Sequence, residues 1–390
     1  MMKRLVILIL VIAITLSGCT KPPAVTEDPL GEWLANVDLI KQETPSELYT
    51  AALKEDTLVV YTVSTRLWDV ASSFENQYPG LRVRVEHIRA DDIYVAIAEN
   101  IKTGNYDCDI VLSTDGWGIL TNELLPKGIV VKYTPWDIAD NILPGNNEET
   151  LMLVGEAGML FYNDTYYTKS PVENWWELTE EKWRGKVFIP NPMRSMTSAS
   201  FFSTILKNSD MMAQAYEDFY GTAPALLPGE SAGQAFIRIL MENDIVIVNS
   251  SDEAAELIGL TGSGESSLAI MVSSKERLRD IGYDMAIHYD MEPFAGVYAA
   301  INIMITGGAK NINAAKLFIR WIMGETDGQG EGYKPYLQSG AWSVRSDVTD
   351  ETGVRSDELN LLYLDNSYMY ENKDAFIMFW EDLLKSRMKP

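Results

Sequence analysis

Three short runs of hydroxyl-bearing residues follow apolar stretches in this chain of 390 residues. They are Ser195-Met196-Thr197-Ser198, Asn249-Ser250-Ser251 and Ser273-Ser274. Each stands where a strand-like pattern gives way to a helical one, so each is read as a helix start. A helix start presents unpaired N–H groups and the positive end of its dipole, and Ser or Thr hydroxyls add donors. Such a place binds anions, although the same residues also serve as ordinary N-caps. Arg194 adds a positive charge beside the first run. Two polar turns earlier in the chain, Ser64-Thr65 and Ser113-Thr114-Asp115-Gly116, also end strand patterns. Asp115 with Trp117 offers the opposite chemistry, an amine held by charge pairing and cation–π contact.

Metal and catalytic chemistry have fewer candidates. Only His87 and His288 are present, so a His-rich zinc site is excluded, and no metal or cofactor is expected. Gly229-Glu230-Ser231-Ala232-Gly233 fits the G-x-S-x-G elbow of α/β-hydrolases, for which His288 is the only downstream base. An elbow needs a strand directly before its serine, and Pro224 and Pro228 argue against one. An exported lipoprotein esterase using Ser231 and His288 is therefore kept as the rival from a different class, and no catalytic residue is assigned. No P-loop and no G-x-G-x-x-G turn occurs.

The elements that must position these residues follow from periodicity. Leu58 to Thr62 reads as a buried strand, a helical pattern runs through Trp68, Ala71, Phe74 and Tyr78, and Leu81 to Val85 alternates. A helix over Ile93 to Ile101 and the strand Asp109 to Leu112 complete a β-α-β-α-β series, the mark of a parallel α/β sheet. In such sheets ligands bind beyond the carboxyl ends of the strands, where Ser64, Thr65, Asp115 and Gly116 stand. Strands are also expected at Gly158 to Asn163, before Pro190, at Asp244 to Val248, at Ser267 to Val272 and at Val297 to Ile305, with a final amphipathic helix around Phe376 to Leu384.

A net charge of -24 argues against nucleic acid as a partner and against electrostatic attachment to anionic lipid. The chain opens with Lys3 and Arg4, an apolar stretch from Leu5 to Leu16, and Leu16-Ser17-Gly18-Cys19. A stretch of that length makes about 18 Å of helix, too short to span a bilayer comfortably. Its end resembles the bacterial lipoprotein box, which implies diacylation of Cys19 and attachment to the membrane by that lipid. The polar, Pro-rich Thr20 to Asp28 suits a spacer. The only other cysteine, Cys108, lies in an apolar run and is expected to be buried.

Six segments in order resemble the solute-binding proteins of bacterial ABC importers, iron(III)-type branch. They are LVVYTVSTR with FENQYPGLRVRVE, DCDIVLSTDG, WWELTEEKWRGKVFIPNPMRSMTSAS, GSGESSLAIM, MEPFAGVYAAINIMITGGAKNINAAKLFIRWIMG and SGAWSVRSDV. The resemblance runs from Asp56 to Val348 and implies a two-lobed, type II periplasmic-binding-protein fold with the ligand cleft between the lobes. It also implies the assignments: 1–18 leader; 19–55 lipidated cysteine, spacer and N-terminal segment; 56–157 with 293–326 first lobe; 158–292 with 327–390 second lobe and C-terminal helices. The implied partners are a small-molecule solute and an ABC permease, outside the cytoplasm. Ser64, Thr65, Asp115, Gly116, Arg194, Ser195, Met196, Thr197, Ser198, Asn249, Ser250, Ser273 and Ser274 are the expected ligand-binding residues. Iron-binding members carry a tyrosine pair where this chain has Ser273-Ser274-Lys275, while Tyr166-Tyr167 lies elsewhere. Loss of that clamp with retention of the anion turn favours an anionic or phosphorylated solute over ferric iron, with a polyamine or aminophosphonate as the further alternative.

Overall fold

A computed structural model describes residues 28–260, 266–349 and 351–387. Cys19, the apolar leader and all but the last residue of the spacer lie outside the described residues. Two short helices come first, α1 (Pro29–Asn36) and α2 (Pro45–Ala52), capped by the side chains of Asp28 and Thr44 with a proline at the first turn. The expected series follows as β1 (Leu58–Thr62), α3 (Leu67–Gln77), β2 (Val83–His87), α4 (Ala90–Thr103) and β3 (Ile110–Ser113). After the short β4 (Val130–Val131), the long β5 (Leu151–Tyr162) crosses into a second unit. That unit holds β6 (Val187–Pro190), α5 (Met196–Lys207), α6 (Ser209–Tyr220), α7 (Ala232–Glu242), β7 (Val246–Val248), α8 (Ser251–Gly259), β8 (Leu268–Val272) and β9 (Ala286–Ile287). The long β10 (Gly296–Thr306) returns to the first, ahead of α9 (Ile312–Ile322), β11 (Trp342–Ser343), β12 (Leu361–Tyr363), α10 (Asn366–Glu371) and α11 (Lys373–Arg387).

The strands join in the order β2-β1-β3-β10-β5-β8-β6-β7. β1 pairs parallel with β2 and β3, and β6 pairs parallel with β7 and β8. Between these parallel blocks, β5 and β10 run antiparallel from Gly296–Met159 to Ile303–Leu151, with a register shift at Ile301/Asn302. Each long strand thus belongs to both blocks, and the result is two lobes joined by crossover strands.

Each lobe has its own core. Phe74, Phe318, Tyr333 and Leu153 share one cluster in the first lobe, and Trp175, Trp176, Phe201 and Trp380 share one in the second. Burying an indole leaves one N–H to satisfy. Trp175 Nε1 donates to Phe294 O and Trp176 Nε1 to Met212 O, both at 2.8 Å. In the first lobe the buried carboxylate of Asp109 accepts from the backbone of Val59, Lys310 and Asn311 and from Asn311 Nδ2. One charge thereby ties β1 and β3 to the start of α9, and Cys108 beside it is buried as expected.

One boundary needs correction. The stretch from 327 to 345, expected in the second lobe, packs on the first. Tyr333, Tyr336, Ala341 and Val344 belong to the cluster of Phe74 and Phe318, and Trp342-Ser343 pair with Gly155-Val154 of β5. Only the last part of the chain joins the second lobe, where Met369, Phe376, Trp380 and Leu383 pack against Phe202 and Phe236. The segment is mostly irregular, so it had no periodicity to reveal which core it would fill.

Candidate functional site

Along one edge, β10 pairs with β12 through Gly296–Tyr298 and with β3 through Asn302–Ile305. Among the described residues, no strand pairs with that edge at Ala299–Ile301. Above the gap stand the end of β3 and the first turn of α5. A cavity of about 510 Å³ opens there, with Thr114, Asp115, Met196, Thr197, Ala299 and Ala300 among its lining residues. Ligand cavities commonly run from about 300 to 1,000 Å³.

Three further segments complete the walls. Residues 143–150 contribute Asn146, Glu148, Glu149 and Thr150, β10 contributes Tyr298 and Asn302, and the C-terminal segment contributes Ser356, Asp357, Tyr363, Leu364 and Asn366. The Asn302 amide is held at both ends, by Thr150 Oγ1 at 2.7 Å and by Ser113 O at 3.4 Å. Asn366 Oδ1 is buried with no hydrogen-bond partner. The Tyr298 and Tyr363 rings lie 5.0 Å apart, Tyr298 buried and Tyr363 exposed.

Asp115 is the only deeply buried acid of the lining, 5% exposed, whereas Glu148, Glu149 and Asp357 stand at the surface. Burial pushes its carboxyl up to about 6, against hydrogen bonds from Thr121 and Leu120 that favour the ionised form. Leu120 N and Thr121 N reach its two oxygens at 2.8 and 3.2 Å. The acid therefore both shapes the loop after β3 and borders the cavity.

Of the residues expected from sequence, Asp115, Met196 and Thr197 line this cavity. The others are placed apart from its lining. Ser195 is the N-cap of α5, its Oγ accepting from Ser198 N, and Ser198 Oγ is buried without a partner. Arg194 and Thr65 are exposed. Buried Ser64 accepts from Tyr336 Oη at 3.3 Å, and Gly116 N donates to Tyr94 Oη. Asn249 and Ser250 cap α8 by bonding to Glu253. Ser273 is fully buried, accepting from Ala157 N and donating to Gly340 O at 2.5 Å, and Ser274 is buried beside it. The hydroxyls of Ser64, Ser195, Ser250 and Ser273 are thus bonded within the protein.

Trp117 is buried against Phe376 and lies outside the lining, so it is not the aromatic partner of Asp115. Tyr166 is exposed, and Tyr167 packs on Trp183 away from the cavity. Among the described residues no group of three or more His, Cys, Asp or Glu is placed to hold a metal ion. The hydrolase elbow is not formed either. Ser231 is approached by irregular chain, caps α7 by accepting from Gln234 N, and bonds Ser209 Oγ at 2.9 Å.

Sequence reasoning expected the strand at Val297 to Ile305 but did not place its Tyr298, Ala299, Ala300 and Asn302 at the cavity, nor the 143–150 loop, Ser200 and the C-terminal wall. Asn302 did leave a signal, as a lone amide in the apolar run VYAAINIMIT. Asn366 left none, since DNS in a polar tail reads only as a helix start.

The residues 69–360 match the family model described as bacterial extracellular solute-binding protein. A search of curated proteins finds no match. Among solved structures, iron-bound HitA from Pseudomonas aeruginosa is similar over 84% of this chain and 99% of its own, at 14% identity and a TM-score of 0.64. AfuA from Actinobacillus pleuropneumoniae with fructose-6-phosphate bound is similar over 85% of this chain and 99% of its own, at 17% identity and a TM-score of 0.62. The substrate-binding protein of an ABC transporter from Agrobacterium tumefaciens is similar over 85% and 96%, at 15% identity and a TM-score of 0.64. With two lobes on shared crossover strands and a family match over most of its length, this chain belongs to the bacterial extracellular solute-binding proteins, receptors that serve ABC importers.

Proposed function

We propose that this receptor is held to the outer face of the bacterial membrane by lipid on Cys19 and carries its solute in the cavity beside β10. The observation that carries the reading is the unpaired edge of β10. It lies on a crossover strand, flanked by the end of β3 from the first lobe and by α5 and β12 from the second. A solute placed there touches both lobes and the strand that joins them, as capture between lobes requires. Binding needs no bond making, and no residue around the cavity is given a catalytic role.

The helix-start residues Met196, Thr197 and Ser200 do face the cavity, as anion capture at α5 needs. The rest of the lining counts against an anion, because it holds four carboxylates and no Lys, Arg or His. Basic side chains outside the lining are already engaged: Arg355 with Asp357 of the lining itself, Arg66 with Glu156, and Lys275 with Asp252.

Native mass spectrometry of the protein purified from its own membranes tests the reading. A bound small molecule should appear on the wild type and be lost from Thr197→Trp, which fills the cavity from the first turn of α5. Retention of that molecule by a folded Thr197→Trp protein would move the site elsewhere. Metabolic labelling with a fatty acid should tag the wild type and leave Cys19→Ala unlabelled.

A further inference from the structure

The geometry points to a solute that carries a positively charged amine. This deepens the cavity reading above and depends on it. Three features of the cavity wall favour it. Asp115 places a carboxylate on the inner wall, and Glu148 and Glu149 place two more at the exposed rim. The paired Tyr298 and Tyr363 rings present aromatic surface to the same space, 5.0 Å apart and tilted by 48°. Aromatic faces attract ammonium groups, and the attraction grows as water is excluded. The third is an unpartnered acceptor, Asn366 Oδ1, buried in the same wall. An ammonium brings donors only, which is what a carboxylate and an amide oxygen lack.

A phosphate fits the same wall poorly. It brings acceptors and negative charge to a lining that has acceptors and negative charge already. No cationic side chain among the lining residues would compensate it, and like charges brought together out of water repel strongly. The chain's net charge of -24 acts in the same sense at longer range, drawing cations towards the mouth.

The test is a titration of the full chain in detergent, followed by calorimetry, with two matched sets of probes. The amine set is ethanolamine, spermidine and glucosamine; the anionic set is inorganic phosphate, glucose 6-phosphate and fructose 6-phosphate, with glucose as the neutral control. At least one amine should bind, and the phosphates should not. Tyr363→Leu at an exposed position, and Glu148→Gln with Glu149→Gln at the rim, should each weaken the amine by about threefold to tenfold, as expected for an aromatic face or rim charges near a cation. Asp115→Asn should weaken it by about tenfold or more, the loss of a charge-assisted contact. Binding by the phosphate set, equal binding of glucose and glucosamine, or silence from every probe would overturn the inference. Thr197→Trp separates the two claims. An amine that still binds this variant refutes the cavity while sparing the charge, and a phosphate that loses binding in it refutes the charge while sparing the cavity.

Discussion

Arg66 and Glu156 form an ion pair of 2.5 Å between the loop after β1 and the middle of the crossover strand β5. Both side chains are only 13% exposed. The guanidinium also lies over the Tyr336 ring, 4.6 Å from its centroid, and Tyr336 Oη reaches Ser64 Oγ. A loop of the first lobe is therefore fastened to the strand on which both lobes depend.

Removing one partner of such a pair leaves a charge out of water with nothing to balance it. Arg277 makes the loss worse, since its own pKa is pulled down by burial and then by the nearby Arg66, with Glu156 opposing. Glu156→Gln should therefore cost about 3 kcal/mol of unfolding free energy. Urea unfolding of this variant beside Arg66→Met/Glu156→Leu checks the cause. The double variant should recover much of the loss, because replacing both charges removes the penalty as well as the pair. A single variant as stable as the wild type would mean the ion pair contributes nothing here.

The fold was legible because its signals are local. β1, β2 and β3 with α3 and α4 sit where alternation and helical spacing put them, and Ser195 and Ser250 are the N-caps expected of them. The site was less legible because a cavity is a relation between distant segments. Asp115, Met196 and Thr197, expected from their places at a strand end and a helix start, line the cavity. Ser273 obeys the same local rule, yet its hydroxyl is consumed by Ala157 and Gly340. Nothing in a strand-to-helix pattern says whether the next hydroxyl meets a ligand or a backbone from 67 residues away. The charge of the lining was hidden for the same reason, since Glu148 and Glu149 come from irregular chain and Asp357 from a single 3-10 turn.

Asp115 should give the protein an unusual pH dependence. Its carboxyl is raised in the folded state, from 3.8 to about 6, chiefly by burial. The folded protein therefore holds this proton more tightly than the unfolded chain does. Stability from this group is fully present below the unfolded value, and is lost as pH rises towards about 6. A displacement of that size corresponds to about 3 kcal/mol. Chemical denaturation of the wild type and Asp115→Asn from pH 4 to 7 isolates it. The difference between the two proteins should shift against the wild type by up to about that amount as pH rises. A constant difference across the range would show that Asp115 titrates as an ordinary surface acid.

Gly118 should prove intolerant of any side chain, for two separable reasons. Its φ is +68°, in the left-handed region where a Cβ is unfavourable. A Cβ there would also stand 2.1 Å from the carbonyl oxygen of Asn366, a backbone atom that no rotamer change can remove. This contact belongs to a wider clasp. Asn122 Nδ2 donates to Asn366 O, and Tyr370 Oη donates to Glu123 at 3.0 Å, while Lys207 pairs with Asp365 to hold the start of α10 on α5. The first-lobe loop and the second-lobe helix thus meet through Gly118, beside the wall built by Tyr363, Leu364 and Asn366. Gly118→Ala should lower stability by about 2–3 kcal/mol, combining left-handed strain with the clash. It should also weaken solute binding, because α10 cannot back away without taking Asn366 with it. Tyr370→Phe is the matched control: it removes one exposed hydrogen bond of the same clasp and should cost far less than Gly118→Ala. Melting curves and solute titrations on both variants decide the matter. Equal behaviour of the two would mean the clasp yields freely at Gly118, and the C-terminal wall is then no fixed part of the site.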